Sequence, residues 1–202
     1  MTKSPHIITD PADIRRIGGE TMQAAIEKVF RQLDEWSRKF IELSPFICLA
    51  SSNGRGGTDV SPRGDGPGFV QVLDDRTVLI PDRPGNRRHD TMVNLLSEPS
   101  VGLIFFVPGI NETLRVNGTA TVTDDAELLA RCEYRKHVPV LGILVTVEEV
   151  FFHCAKALLR SGLWTKEAQS GRDDFPRIGN VIKAQMKLKE DVADIEKAIQ
   201  ES

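Results

Sequence analysis

Residues 101–123 read VGLIFFVPGINETLRVNGTATVT. Val101–Val107 and Thr113–Thr123 are strand-like runs, and Pro108-Gly109 punctuates the stretch between them. Val101–Val107 is the longest apolar stretch in the chain. It has the length of a strand and falls far short of the ~18 apolar residues of a membrane helix. On either side, the same signature recurs in Phe46–Ser51, Thr58–Ser61, Phe69–Leu73, Thr77–Ile80, Leu141–Val150 and Phe151–Ala155. Pro45 and the loop Asn53–Gly57 bound the first of these, Gly64–Gly68 forms a Gly/Pro-rich turn, and Asp74-Asp75 marks a hairpin. Many strands, short turns and few connecting helices predict a mainly β protein, an antiparallel barrel with peripheral helices.

The helices expected around these strands are few. Asp10-Pro11 is a start signal, with Asp as N-cap and Pro at the first helical position, and Gly18-Gly19 interrupts that helix. A second helix is expected from about Glu20 to Phe40, because Ile26, Val29, Phe30, Leu33, Trp36 and Phe40 recur at steps of three and four and form one apolar stripe for a sheet face. Asn86–Ser97, Asp124–Tyr134 and about Ile178 to Ile199 complete the set. The resulting organisation is a helical segment over 1–43 packing on the barrel, the barrel over 44–164, and a C-terminal loop and helix over 165–202.

The chain has 202 residues and a mass of 22.4 kDa, with a formal charge of −3 and a pI of about 5.9. That balance excludes grip on duplex DNA through global charge, so no nucleic-acid partner is expected. The N-terminus shows no apolar run of a secretory signal, and no membrane association is expected. Cys48, Cys132 and Cys154 are odd in number and widely spaced, which argues against a disulfide framework and a zinc site and points to the reducing cytoplasm.

Between Arg55 and Arg115 the chain holds seven arginines and no lysine. The planar guanidinium binds phosphate or carboxylate in a bidentate way, which lysine cannot do. The stretch Ile80-Pro81-Asp82-Arg83-Pro84-Gly85-Asn86-Arg87-Arg88-His89-Asp90 runs off a strand, through a Pro/Gly turn, into a helix start. Asn86 is placed to cap that helix, with Arg87 and Arg88 in its first turn, where a cation is unfavourable unless an anion offsets it. Two readings stay open: a bound phosphomonoester at the helix N-terminus, or neutralisation by Asp82 or Asp90.

Several ordered motifs carry a resemblance: Ser44-Pro45-Phe46, Asp59–Asp65, Ile80–Arg88, Pro108-Gly109, Glu112–Gly118, Phe152–Lys156 and Arg160–Trp164. Over roughly Leu43 to Trp164 the sequence resembles the pyridoxamine 5′-phosphate oxidase-related FMN-binding proteins. The resemblance implies a dimeric split β-barrel, with FMN in a cleft at each end of the subunit interface. It implies that Gly85, Asn86, Arg87 and Arg88 hold the flavin phosphate and that Pro81 and Asp82 lie beside the ribityl chain or ring. Ser61-Pro62-Arg63 runs under the flavin in this reading, with Arg63 reaching the phosphate or the N1/C2 side of the ring. Arg160, Ser161 and Trp164 come from the partner subunit, with Lys156 a weaker candidate. True pyridoxamine phosphate oxidases carry an Arg/His segment for the substrate phosphate near the C-terminus. No equivalent follows Trp164, so vitamin B6 oxidation is not expected. The function implied is an FMN-dependent oxidoreductase acting on a small molecule or a nicotinamide donor. The alternative is a non-catalytic carrier of flavin or haem on the same barrel. No catalytic residue is named, because the flavin ring carries the electrons.

Other signals are read as structural. Arg63-Gly64-Asp65 is a turn rather than an adhesion tripeptide, and Gly54–Gly57 lacks the lysine of a P-loop. His153 and Cys154 point to opposite faces of a strand. His89 alone, beside the proposed phosphate site, carries a functional expectation among the histidines, and no metal is expected.

Overall fold

The computed structural model describes residues 7–85 and 87–201. Helices α1 (Pro11–Gly18), α2 (Gln23–Glu27) and α3 (Glu35–Leu43) lead into β1 (Phe46–Ser52), β2 (Thr58–Gly64), β3 (Gln71–Val72) and β4 (Thr77–Pro81). Helix α4 (Asp90–Ser97) comes next, then β5 (Ser100–Phe106), β6 (Thr113–Thr123), α5 (Ala126–Ala130) and β7 (Gly142–His153). Helix α6 (Lys156–Ser161), a 3-10 turn (Arg172–Asp174), α7 (Ile178–Met186) and α8 (Val192–Glu201) close the described chain. Among the described residues no helix is long and apolar enough to cross a membrane.

The seven strands form one sheet in the order β2-β1-β5-β6-β7-β4-β3, antiparallel throughout. The mainly antiparallel architecture with peripheral helices is therefore as expected, but the ladder is not closed into a barrel. The expected strand Phe69–Leu73 supplies only the two paired residues of β3, which bond to β4 and not to β2. The Gly/Pro-rich segment before it cannot extend the ladder.

Strict alternation builds the inner face. Ile47 and Leu49 of β1, Leu103 and Phe105 of β5, and Leu114 and Val116 of β6 are almost fully enclosed. Each such aliphatic or aromatic side chain contributes about 2 kcal/mol by leaving water. Phe40 and Ile41 of α3 and Met92 and Leu95 of α4 join the same core. Ser44 fastens the helix–strand junction, donating to the carbonyls of Phe106 at 2.8 Å and Phe46 at 2.9 Å.

Three further expectations fail. Leu141–Val150 and Phe151–Ala155 are not separate strands but the continuous β7. Asn117 pairs with Glu149 while Gly118 pairs with Val147, so Glu148 is an extra residue, a β-bulge. The bulge reverses the alternation: Ile143, Val145 and Val147 face inward before it, and Val150 after it. Gly118 opposite is required, since a Cβ there would stand 1.9 Å from the Thr146 carbonyl oxygen.

The helix expected over Glu20–Phe40 is also broken. Phe30 leaves helical geometry to exchange backbone bonds with Val150, at 3.0 and 2.8 Å. Asp34 then restarts a helix by accepting from the Ser37 N–H at 2.8 Å. Of the stripe, Leu33 and Phe40 are buried, whereas Ile26, Phe30 and Trp36 are exposed. The C-terminal helix is likewise two helices, interrupted at Lys187 with φ of 54°.

Candidate functional site

The end of β2 and the segment after β4 approach each other where the ladder stays open. On β2, Asp59, Ser61 and Arg63 share the half-buried face, while Val60 and Pro62 alternate outward. Arg63 Nη1 donates to Asp82 Oδ1 at 2.8 Å, and Arg83 Nε donates to Asp65 Oδ2 at 2.7 Å. The two ion pairs are reciprocal, each side giving one cation and one anion. All four side chains are less than a quarter exposed. This charged seam joins two sheet regions that no backbone bond joins among the described residues. Pro81 ends β4 opposite Gly142 and is buried.

Arg63 is not fully satisfied by the seam. Its Nε is enclosed and has no hydrogen-bond partner among the described residues. Such a donor carries a desolvation cost that a ligand oxygen would relieve. Asp82 is shared, since His89 Nδ1 stands 3.9 Å from its other oxygen.

The loop from Asp82 to His89 does not enter the helix where the sequence suggests. Arg87 has φ of 56° and His89 has φ of 55°, and α4 begins at Asp90. Arg87 and Arg88 therefore precede the first turn instead of occupying it, and His89 stands at the cap position without a side-chain capping bond. Left-handed backbone at a long side chain costs roughly 1–3 kcal/mol per residue. Asn86, the expected cap and phosphate ligand, lies outside the described residues. The two arginines differ. Arg88 lies on Asp90 at 2.7 Å in an exposed pair, whereas Arg87 is exposed and makes no ion pair among the described residues. Asp90 thus pairs with Arg88, while Asp82 pairs with Arg63. An exposed pair is worth at most about 1 kcal/mol, so Arg88 can exchange its carboxylate for a ligand phosphate at little cost.

Helix α4 is pinned beside this loop. Thr91 Oγ1 donates to Asp59 Oδ2 at 3.3 Å, and Asn94 Nδ2 donates to Ser51 Oγ at 3.1 Å. A shallow depression of about 230 Å³ between α4 and the β1–β2 turn is lined by Asp59 and Asp90 as well as Asn53 and Asn94. Its two carboxylates do not suit an anion.

Arg160 and Ser161 close α6, and Ser161 Oγ donates to the Leu158 carbonyl at 3.1 Å. Trp164 donates its indole N–H to the Ile110 carbonyl at 2.9 Å, which anchors it at the β5–β6 connection. Among the bonds of the described residues, none links these three to the Arg63–Asp82 group. Lys156 opens α6 and is exposed.

Two neighbours carry no individual signal as site residues in the sequence. Asp65 and Arg83 form half of the seam, and the Arg83 guanidinium stands 5.7 Å from the Tyr134 ring centre. The alternation of acids and arginines contains them, but only the approach of β2 to the end of β4 shows which pair with which. Elsewhere, burial and the nearby Lys28 and Arg115 charges hold the His153 imidazole below its usual pKa, and burial raises the Cys132 thiol. Among the described residues no three His, Cys, Asp or Glu side chains gather as metal ligands.

A family model described as pyridoxamine 5′-phosphate oxidase matches residues 33–154. No curated protein matches the sequence. Among solved structures the chain is similar to HupZ of Group A Streptococcus. That pair is 17% identical, covers 59% of this chain and 93% of that one, and has a TM-score of 0.49. It is also similar to the FAD binding protein from Mycobacterium smegmatis, at 14% identity over 61% of this chain and 97% of that one, with a TM-score of 0.42. General stress protein 26 from Bacillus anthracis gives 11% identity, coverage of 57% and 92%, and the same TM-score of 0.42.

Proposed function

The chain belongs to the pyridoxamine 5′-phosphate oxidase family, and from that premise we propose that it is a homodimeric flavoprotein that binds FMN and acts as an oxidoreductase on a small molecule. The observation that carries the reading is the loop after β4. There Arg87, a cation with no ion pair among the described residues, sits on left-handed backbone in the loop that begins at Asp82, and Asp82 holds Arg63, whose enclosed Nε has no acceptor among the described residues. A ligand with a phosphate at one end and polar ring atoms at the other suits both. In this assignment Gly85, Asn86, Arg87 and Arg88 hold the phosphate. Arg63 is oriented by Asp82 and offers Nε to the ligand, while Ser61 and Pro81 line the floor. Bound FMN would supply hydride or electron transfer, and positive charge near its ring favours the reduced form.

The dimer reading rests on the outer face of the sheet. An antiparallel sheet with a solvated face carries polar residues there. Here the outward positions of β1 and β5 are polar only at one end, at Ser52 and Ser100, and are otherwise Phe46, Cys48, Ala50, Gly102, Ile104 and Phe106, to which Val60 of β2 adds. A contiguous apolar face of this kind marks an association surface. Arg160, Ser161 and Trp164 then serve the site of a second copy, consistent with their separation from the seam within one chain.

The segment after Trp164 holds Arg172, but its guanidinium is turned to the Phe175 carbonyl at 2.8 Å. We therefore assign a substrate other than pyridoxamine 5′-phosphate. Titration of the flavin-free protein with FMN tests the reading. Saturable quenching of flavin fluorescence is expected, with turnover on NADH or NADPH separating an enzyme from a carrier. Absence of FMN uptake by folded protein overturns it.

A further inference from the structure

The chain contains two Asn-Gly dipeptides, Asn53-Gly54 and Asn117-Gly118, and the fold holds them in different ways. An asparagine followed by glycine is open to attack by the next backbone nitrogen on its own side-chain carbonyl carbon, because glycine has no Cβ to hinder the approach and a wide choice of backbone angles. Asn53 lies just past the end of the β1–β2 ladder, whose last pair is Ser52 with Thr58, so residues 53–57 belong to no strand. Asn53 and Gly54 are exposed. The Gly54 N–H makes a long bond of 3.3 Å to Ser52 Oγ, and a Cβ on Gly54 would find its nearest neighbour 3.8 Å away. The side-chain amide of Asn53 is held at one end only. Its Oδ1 accepts from the Arg55 N–H at 2.9 Å and from the Gly57 N–H at 3.0 Å. Its Nδ2 donates to no group among the described residues. Glycine is required at position 57, since a Cβ there would stand 2.4 Å from that Nδ2.

Two backbone N–H groups at such distances on one carbonyl oxygen are the arrangement that stabilises a developing oxyanion. The nitrogen that must leave is unheld. Asn117-Gly118 shares the dipeptide and none of this. Both residues lie inside the β6–β7 ladder, and Gly118 is buried against the Thr146 carbonyl, so the sheet fixes its backbone. Asn117 Oδ1 accepts one bond, from Arg115 Nε at 3.1 Å, and Asn117 Nδ2 is held on Glu149 Oε2 at 2.9 Å.

We propose that Asn53 is a site of self-modification, at which the β1–β2 loop promotes deamidation of its own side chain. The Gly54 nitrogen bonds to Asn53 Cγ and gives its proton to solvent. The Cγ–Nδ2 bond breaks, and the nitrogen takes up a proton from solvent and leaves as ammonia. Water then opens the cyclic imide at either carbonyl, which leaves aspartate or isoaspartate at position 53. The net change is one water consumed and one ammonia released, with nothing oxidised or reduced. The product adds a third carboxylate to the depression that Asp59 and Asp90 already line. Nothing in this chemistry requires the flavin.

The test incubates the full native chain in mildly alkaline buffer and, in parallel, the same chain unfolded in urea. Proteolytic peptides taken at intervals are weighed, and isoaspartate is read by methylation with an isoaspartyl methyltransferase. In the native chain Asn53 is expected to convert at least about tenfold faster than Asn117, a low figure for two oxyanion donors. In urea, where only the shared dipeptide remains, the two rates are expected to converge, with Asn53 slower there than in the native chain. Asn53→Gln has a side chain one methylene longer that cannot close the same ring. It is expected to stop the growth of the more acidic form in isoelectric focusing. A native ratio short of the expected one, an Asn53 rate that is no faster in the native chain than in urea, or an acidic form that grows equally in Asn53→Gln overturns the proposal.

Discussion

Two regions of the sheet differ in what they present, the open ends of the ladder and the outer face of β1 and β5, and the chain treats them in opposite ways. At the open ends of the ladder, Arg63–Asp82 and Asp65–Arg83 bring four charges together and answer each with its opposite. On the outer face of β1 and β5, Phe46, Ile104 and Phe106 stay apolar and only partly covered. Reciprocal ion pairs satisfy themselves within one chain, apart from the single Arg63 nitrogen. An apolar face cannot do so, because only a second surface removes it from water. The seam is thus satisfied within the protomer, and the face is where the proposed dimer would seat a second copy.

The largest expected effect breaks the seam. Asp82→Ala leaves Arg63 half-enclosed without its acceptor and is expected to destabilise the fold by about 3 kcal/mol, read by urea unfolding. An unchanged midpoint would mean that the pair is ornamental. Next come the two loop arginines that lie outside the seam. Arg87→Ala with Arg88→Ala is expected to weaken FMN by about 2–3 kcal/mol, or some 30- to 150-fold, with the unfolding midpoint nearly level. Equal loss of stability and affinity would merge loop and seam into one structural unit.

Val60→Glu tests the face. Val60 is 65% exposed in a single chain, so a monomer should tolerate the change within about 0.5 kcal/mol. If the face is an interface, sedimentation should show the dimer weakened at least about tenfold. A native dimer in this variant would move the interface elsewhere.

The smallest effect concerns His153, flanked on β7 by Phe151 and facing Arg115 and Lys28. Its folded pKa lies below the ordinary value of about 6.5. The unfolded chain therefore takes up the proton first, so stability falls as pH drops through about 6.5, with the loss complete below the folded pKa. His153→Gln should flatten the stability profile in that window by less than about 1 kcal/mol. An unaltered slope would assign the pH dependence to other groups.

Much of the strand framework was legible from local pattern. Thr113–Thr123 has the boundaries expected, and Phe46–Ser52 and Ser100–Phe106 differ by a residue or so. Where the reading failed, a long-range contact overrode a local preference. The stripe around Phe30 has helical spacing, yet Phe30 bonds to Val150, which is 120 positions away in sequence. The strand near Val150 looked like two because the bulge at Glu148 shifts its alternation, and the cause lies in its pairing with Gly118. The loop arginines could be found by count, but their counter-ions could not. Asp90 was one of two candidates for the loop and proved to hold Arg88, while Asp82 holds Arg63 across the open sheet.

The sequence by itself determined the strand framework, the antiparallel class and the family, because alternation, turn residues and ordered motifs are properties of neighbours along the chain. Tertiary structure alone decided which arginines pair with which carboxylates. It also decided that the sheet stays open. Those outcomes depend on distances between residues far apart in sequence, and electrostatic pairing falls off over a few ångströms that no local pattern encodes.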